Sequence, residues 1–135
     1  MSHTDLLARA WADASGPSGF GPEFDAVFSP DYVRHSGDST LNKNEYRAVV
    51  ADLYAAFPDL TMTILDAVEQ GDRVAFRWES TGTHTGSYYG VPPTNRRITA
   101  RGMTISRFED DRIVEDWTTW DKASVLDSLG IIQLR

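Results

Sequence analysis

The chain has 135 residues and no cysteine, 41% of its residues are hydrophobic, and its formal net charge at pH 7 is −7. This length fits one domain over residues 1–135, and the lack of cysteine excludes disulfides, thiolate nucleophiles and cysteine metal sites. Negative charge with scattered basic residues argues against a nucleic-acid partner. Without a long apolar stretch or an apolar signal core, we expect a cytoplasmic protein with no membrane partner.

The first half of the sequence predicts helices. Apolar residues at helical spacing predict an amphipathic helix over residues 3–14, and residues 23–29 fit a short second helix. Residues 32–35 (YVRH) fit a short extended segment. Asn42, with Glu45 three residues later, fits a capping box that opens a third helix.

The second half predicts strands. Residues 60–69 alternate in polarity, and so do residues 73–83, while residues 96–108 and 113–120 flank a turn and predict a second long hairpin. One face of the first of these strands is expected to carry Met62, Ile64, Asp66 and Val68. A terminal helix is predicted over residues 122–129. Helices followed by antiparallel strands indicate an α+β fold, in which helices cover one face of a bent sheet and can enclose a cavity.

Two C-terminal motifs carry a family resemblance. RWESTGTHTGSYYGVPPTNRRI (77–98) and ISRFEDDRIVEDWTTWD (105–121), together with the early YVRH, resemble the SnoaL-like polyketide cyclases of the nuclear transport factor 2-like superfamily. The resemblance implies a cone in which N-terminal helices pack on a strongly curved, mainly antiparallel sheet around a cavity. It also implies a homodimer and chemistry without a cofactor on a small hydrophobic, carbonyl-containing molecule of polyketide type.

The resemblance also implies a catalytic role for Asp121. In the characterised cyclases the aspartate of a W-x-x-x-D pattern acts as general base and acid, and here the pattern runs from Trp117 to Asp121. One carboxyl group can remove a proton beside a carbonyl and later return it, if an apolar pocket raises its pKa. Strand alternation places Trp117 and Thr119 on the face of Asp121. The alternative is that Asp121 only caps the terminal helix.

Two histidines are candidates for polarising or orienting the substrate. His35 can donate one hydrogen bond and accept another as a neutral imidazole, or it can simply be satisfied by local backbone. His84 lies between glycines at the start of a loop, where it either faces the pocket mouth or bonds the loop backbone. The histidines are far apart in sequence and predict no metal site. The strand that should supply the cyclases' second catalytic group, a histidine, offers none.

Further candidates for substrate binding are Trp78, Trp117, Tyr32, Arg101 and Met103. Ordinary core packing is the alternative for the aromatic residues. In the related limonene epoxide hydrolases an Arg and two Asp activate water, but Met103 stands where the second strand carboxylate is expected. The alternative for Arg101 is a salt bridge with Asp66, Glu79 or Asp116.

We therefore expect proton abstraction beside a carbonyl, followed by aldol-type ring closure, with Asp121 and His35 as the catalytic residues. Isomerisation or dehydration would use the same parts. A binding protein without chemistry and a purely dimerising domain are the rivals from other classes, since this fold hosts many activities. The outer sheet face, with Ala75, Arg77, Glu79 and Thr81 on one strand, is the surface expected to form the homodimer.

Overall fold

The computed structural model describes residues 2–14 and 20–130. Within these ranges the chain forms four helices and six strands. In chain order they are α1 (His3–Asp13), α2 (Pro22–Val27), β1 (Phe28–Ser36), β2 (Ser39–Asn42), α3 (Lys43–Ala56), β3 (Thr61–Gln70), β4 (Arg73–Thr83), β5 (Arg97–Glu109), β6 (Arg112–Trp120) and α4 (Lys122–Ser128). No helix among the described residues has the length and apolar character needed to cross a membrane.

The six strands form one curved sheet that does not close into a barrel. Their order is β2-β1-β6-β5-β4-β3, and every neighbouring pair is antiparallel except β1 and β6, which run parallel. The helices pack against one face of this sheet, which confirms the predicted α+β cone with its mainly antiparallel sheet. The short strand β2 was not predicted.

Local capping signals set the starts of the two longest helices. Asn42 accepts the backbone N–H of Glu45, and the Glu45 side chain accepts the backbone N–H of Asn42, as the predicted capping box requires. Ser2 and Asp5 form the same reciprocal pair at the start of α1. The apolar side of α3, with Tyr46, Val50 and Tyr54, packs in one core cluster with sheet residues such as Phe76.

A β-bulge in β3 changes which residues face the core. The pairing of β3 with β4 shifts register between Ile64 and Asp66, which adds one residue to the strand. Met62, Ile64 and Ala67 therefore pack against the core. The expectation that Asp66 and Val68 share the face of Met62 is wrong, because the bulge reverses the alternation and both side chains are exposed.

A second bulge, in β6, places the candidate site. Arg107 pairs with Glu115 and Phe108 pairs with Ile113, so Val114 is an extra residue on the β6 side. Ile113 is buried before the bulge, and Asp116 is buried after it, three residues later. The bulge thus turns the residues at even positions after Val114 toward the helices.

Candidate functional site

A cavity of about 600 Å³ lies between α3 and the inner face of the sheet. This volume falls within the range of small-molecule sites. Its wall is mainly apolar and aromatic, with contributions from Tyr46, Leu53, Tyr54, Phe76, Trp78 and Trp120. Two clusters of hydrogen-bonded polar groups contribute to this wall.

The first polar cluster is centred on Asp116, which lines the cavity and is 3% exposed. The Tyr32 hydroxyl donates to Asp116 Oδ2 over 2.6 Å, and the Ser106 hydroxyl donates to Oδ1 over 2.5 Å. Arg34 Nη1 also donates to Oδ2, at 3.2 Å. Three separate strands, β1, β5 and β6, supply these groups, so the sheet itself holds the carboxylate in place.

Burial controls the protonation of this cluster. Desolvation raises the pKa of Asp116 above its ordinary value, although the charge of Arg34 and the hydrogen bonds from Ser106 and Tyr32 act in the opposite direction. Burial also raises the pKa of Tyr32 well above the ordinary value, so the phenol stays protonated as a donor. Desolvation lowers the pKa of Arg34, but the neighbouring Tyr46, Tyr32 and Asp116 outweigh it and raise the pKa overall. Arg34 therefore remains a cation beside a carboxyl group that can gain a proton.

The second polar cluster joins Trp78 to two threonines on neighbouring strands. Trp78 Nε1 donates to Thr104 Oγ1 at 3.0 Å, and Thr104 Oγ1 lies 2.8 Å from Thr118 Oγ1. All three residues line the cavity. Because an indole nitrogen can only donate, Thr104 is free to donate its own hydroxyl proton to Thr118. This chain of bonds fixes the Trp78 ring against the sheet.

The mouth of the cavity combines charged residues with an exposed tyrosine. Asp38, Asp52 and Lys122 line this part of the wall, together with Tyr89, which is 78% exposed. Tyr89 and Gly90 both have positive φ, at 48° and 78°, as the tight turn between Tyr88 and Val91 requires. The loop after β4 thus presents an aromatic ring at the entrance.

Asp121 lies outside this cavity wall. It is exposed and caps α4, with its Oδ1 accepting the backbone N–H of Ser124 at 3.0 Å. The expectation of an apolar enclosure around Asp121 is therefore wrong, because β6 ends at Trp120 and the next residue is committed to the helix terminus. The alternative interpretation of Asp121, as a helix cap, describes its contacts.

His35 and Trp117 lie together on the outer face of the sheet. His35 Nε2 is 2.6 Å from Glu115 Oε2, and its ring stacks on Trp117 with 5.6 Å between centroids. Neither residue lines the cavity, so the expected pocket positions of both are wrong. The bulge at Val114 turns the Trp117 side chain to the outer face. His35 pairs with Trp117 in the parallel ladder and therefore lies on the same face.

The other predicted site residues divide between buried and outer positions. Trp78 lines the cavity as expected, whereas Tyr32 does not line it and contacts Asp116 from behind the wall. His84 is fully buried and does not line the cavity, and its Nδ1 accepts the backbone N–H of Thr94 at 3.2 Å. That contact matches the alternative interpretation, in which His84 ties the loop.

Arg101 and Met103 point away from the helices. Arg101 Nε lies 2.9 Å from Glu79 Oε2, so the salt-bridge interpretation of Arg101 is confirmed. Met103 is 52% exposed on the same outer face. The prediction that these two residues line the pocket is wrong, because strand alternation turns Gly102 and Thr104 inward instead.

Sequence reasoning missed Arg34 and Ser106, and it considered Asp116 only as a salt-bridge partner for Arg101. All three lie on the inward faces of β1, β5 and β6, and the inward position of Asp116 becomes visible only when the bulge in β6 is known. The polar residues on that face converge on one point because Val33–Ser36 pair in parallel with Glu115–Thr118.

Comparisons with known proteins agree with this architecture. AclR from Streptomyces galilaeus, a proposed hydroxylase, superposes with a TM-score of 0.89 at 28% identity, covering 98% of this chain and 83% of AclR. IdmH from Streptomyces antibioticus, a proposed polyketide cyclase, superposes with a TM-score of 0.83 at 33% identity, covering 96% of this chain and 99% of IdmH. No curated protein sequence matches the chain significantly. The SnoaL-like polyketide cyclase family model matches residues 6–129, and the chain therefore belongs to this family.

Proposed function

We propose that this chain is a cofactor-independent enzyme in which Asp116 moves a proton beside a carbonyl group of a polyketide-like or other polycyclic substrate. The observation that carries the proposal is a buried carboxyl group, with a raised pKa, in the wall of an apolar cavity of about 600 Å³. Such a group can take up a proton as a base and then return it as an acid. Family membership and the similarity to IdmH support this class of reaction.

The contacts of Asp116 leave it able to take a proton. Each carboxylate oxygen can accept two hydrogen bonds, and Oδ1 has one protein donor, Ser106, among the described residues. Oδ1 would use its other lone pair to remove the proton from the carbon beside the carbonyl. The resulting enolate carbon attacks a second carbonyl, and the proton held by Asp116 passes to the new alkoxide. The net change is ring closure without gain or loss of atoms.

Arg34 and Tyr32 would support both steps. Their contacts with Oδ2 favour the charged form of Asp116, whereas burial favours the neutral form and raises the pKa overall. Trp78, fixed by its bond to Thr104, would give a flat substrate an aromatic surface against which to stack.

A panel of polycyclic ketones and lactones tests this proposal. Crystals soaked with the panel should show a ligand whose carbonyl-bearing ring lies against Asp116 and Trp78. Mass spectrometry of the same incubations should show products of unchanged mass for ring closure or isomerisation, and loss of one water for dehydration. Ligands bound only outside the cavity, with no new product, would argue for a different function.

A further inference from the structure

The guanidinium of Arg34 has an edge that its protein contacts do not use. Nη1 donates to Tyr32 Oη at 3.3 Å and to Asp116 Oδ2 at 3.2 Å. The group also lies over the ring of Tyr46, with 4.3 Å between Cζ and the ring centroid. These contacts account for Nη1 and for one face of the plane. Nε and Nη2 make no hydrogen bond to any residue of the described ranges.

The unused N–H groups of Arg34 remain accessible. Its side chain is 14% exposed and lines the cavity. Among the described residues, the unpartnered side-chain nitrogens that are sealed from solvent belong to His3 and His84, and none belongs to Arg34. The Nε and Nη2 groups are therefore not sealed from solvent, and they belong to a residue of the cavity wall.

The geometry of this edge selects a particular chemical group. Nε–H and Nη2–H of an arginine point in parallel, and their spacing matches the two oxygens of a carboxylate. We infer that the ligand of this cavity carries a carboxylate, which Arg34 binds through both of these N–H groups, beside Asp116. The inference rests on the proposed function and deepens it, because it names an acidic group on the substrate of the same site.

The cavity wall also carries Asp38, Asp52 and Asp116, so an anionic ligand depends on the positions of the two cations and not on the net charge. Arg34 lies on the inner wall, whereas Lys122, the other cation that lines the cavity within the described ranges, sits at the mouth beside Tyr89. The apolar wall would make an unpaired carboxylate costly to bury, so the acid must meet Arg34 to enter. Asp116 leaves other N–H donors of Arg34 unused, since the two residues are bonded through Nη1 alone.

Two aromatic probes of equal shape test this inference. 2-Naphthoic acid carries the carboxylate, and 2-acetylnaphthalene carries a neutral carbonyl on the same ring, so their affinities can be compared by calorimetry and tryptophan fluorescence. We expect the acid to bind at least about tenfold more tightly to the wild type, as a charge-assisted pair of hydrogen bonds implies. Arg34→Gln should abolish the preference, and Arg34→Lys, which keeps the charge but loses the parallel donors, should reduce it.

Arg101→Gln is the matched control, because Arg101 pairs with Glu79 on the outer face and should leave the preference intact. Equal affinities in the wild type, absence of saturable binding by the acid, or a preference that survives in Arg34→Gln would overturn the inference. If Arg34→Gln fails to fold, the wild-type comparison and Arg34→Lys decide. If the wild type shows no preference for the acid but still transfers protons on neutral ketones, only the carboxylate inference is rejected. If the wild type prefers the acid but transfers no proton on neutral ketones, the role of Asp116 is rejected.

Discussion

Tyr32 donates its phenolic hydrogen to Asp116 across the parallel pairing of β1 and β6, with 2.6 Å between Oη and Oδ2. The two residues are 84 positions apart in the sequence. Both side chains are buried, at 1% and 3% exposure, so the bond is shielded from water. The protonation of Asp116 thus depends on a hydrogen bond that the parallel pairing of β1 with β6 makes possible.

Replacing Tyr32 by Phe should shift the pH dependence of proton transfer. The hydrogen bond from Tyr32 favours the charged form of Asp116, so its removal should raise the pKa of Asp116 further. The inflection of the pH–rate profile should then move to higher pH. The free energy of unfolding should fall by about 1 kcal/mol. Tyr54→Phe is the control, since Tyr54 lines the cavity without bonding Asp116. An unchanged inflection in Tyr32→Phe would contradict the coupling.

The pH dependence of stability provides a second check on Asp116. Because burial raises its folded-state pKa above 3.8, the folded protein keeps this proton to higher pH than the unfolded chain does. The resulting stability is fully present below 3.8 and is lost as pH rises through the folded-state pKa. Asp116→Asn removes this titration, so the variant should gain stability relative to the wild type across that window. Urea unfolding at a series of pH values measures the difference in the free energy of unfolding between the variant and the wild type. A difference that does not change with pH would contradict the raised pKa of Asp116.

Adding a methyl group at Gly102 should disturb the cavity. A Cβ there would lie 2.3 Å from Cζ2 of Trp78, its partner on β4, and 2.6 Å from the carbonyl oxygen of Thr119. Gly102→Ala should therefore displace the indole and destabilise the fold by about 1–3 kcal/mol. Trp78→Phe removes the overlapping ring, so the double variant should be more stable than the sum of the single effects predicts. Strict additivity in this cycle would show that the two positions do not interact.

We propose that the expected homodimer forms through the outer sheet face, and a single charged substitution on that face tests this. Met103 and Ile105 are 52% and 41% exposed there, beside the Arg101–Glu79 ion pair. A second copy could cover this apolar strip and match its mixed charges. Sedimentation velocity should show a dimer for the wild type and a monomer for Met103→Glu, with Ala48→Glu on α3 as the control. A wild type that stays monomeric at high concentration would reject this interface.

Local patterns predicted most of the fold. Asn42 and Glu45 mark the start of α3 because the capping box needs no information from distant residues. The hairpins β3–β4 and β5–β6 follow from alternation that is interrupted by short turns. The parallel contact between β1 and β6 has no such local signal, since it joins strands that are far apart in sequence.

The site was harder to predict because it depends on a single extra residue. Unbroken alternation through β6 groups Trp117 with Thr119 and Asp121, whereas the bulge at Val114 turns Asp116 and Thr118 inward. Both faces of β6 carry an aromatic residue and an acid, so composition does not distinguish them. The identity of the cavity carboxyl therefore follows from strand register.

The most direct measurement compares two aspartates in one assay. In D₂O, ¹H NMR reports exchange of the hydrogens beside the carbonyl of 1-tetralone and larger fused-ring ketones, without knowledge of the natural substrate. Asp116→Asn should abolish the exchange that the wild type catalyses, while Asp121→Asn should retain it, because asparagine also caps a helix. Exchange that persists in a folded Asp116→Asn variant, or that is lost in Asp121→Asn, would contradict the role of Asp116.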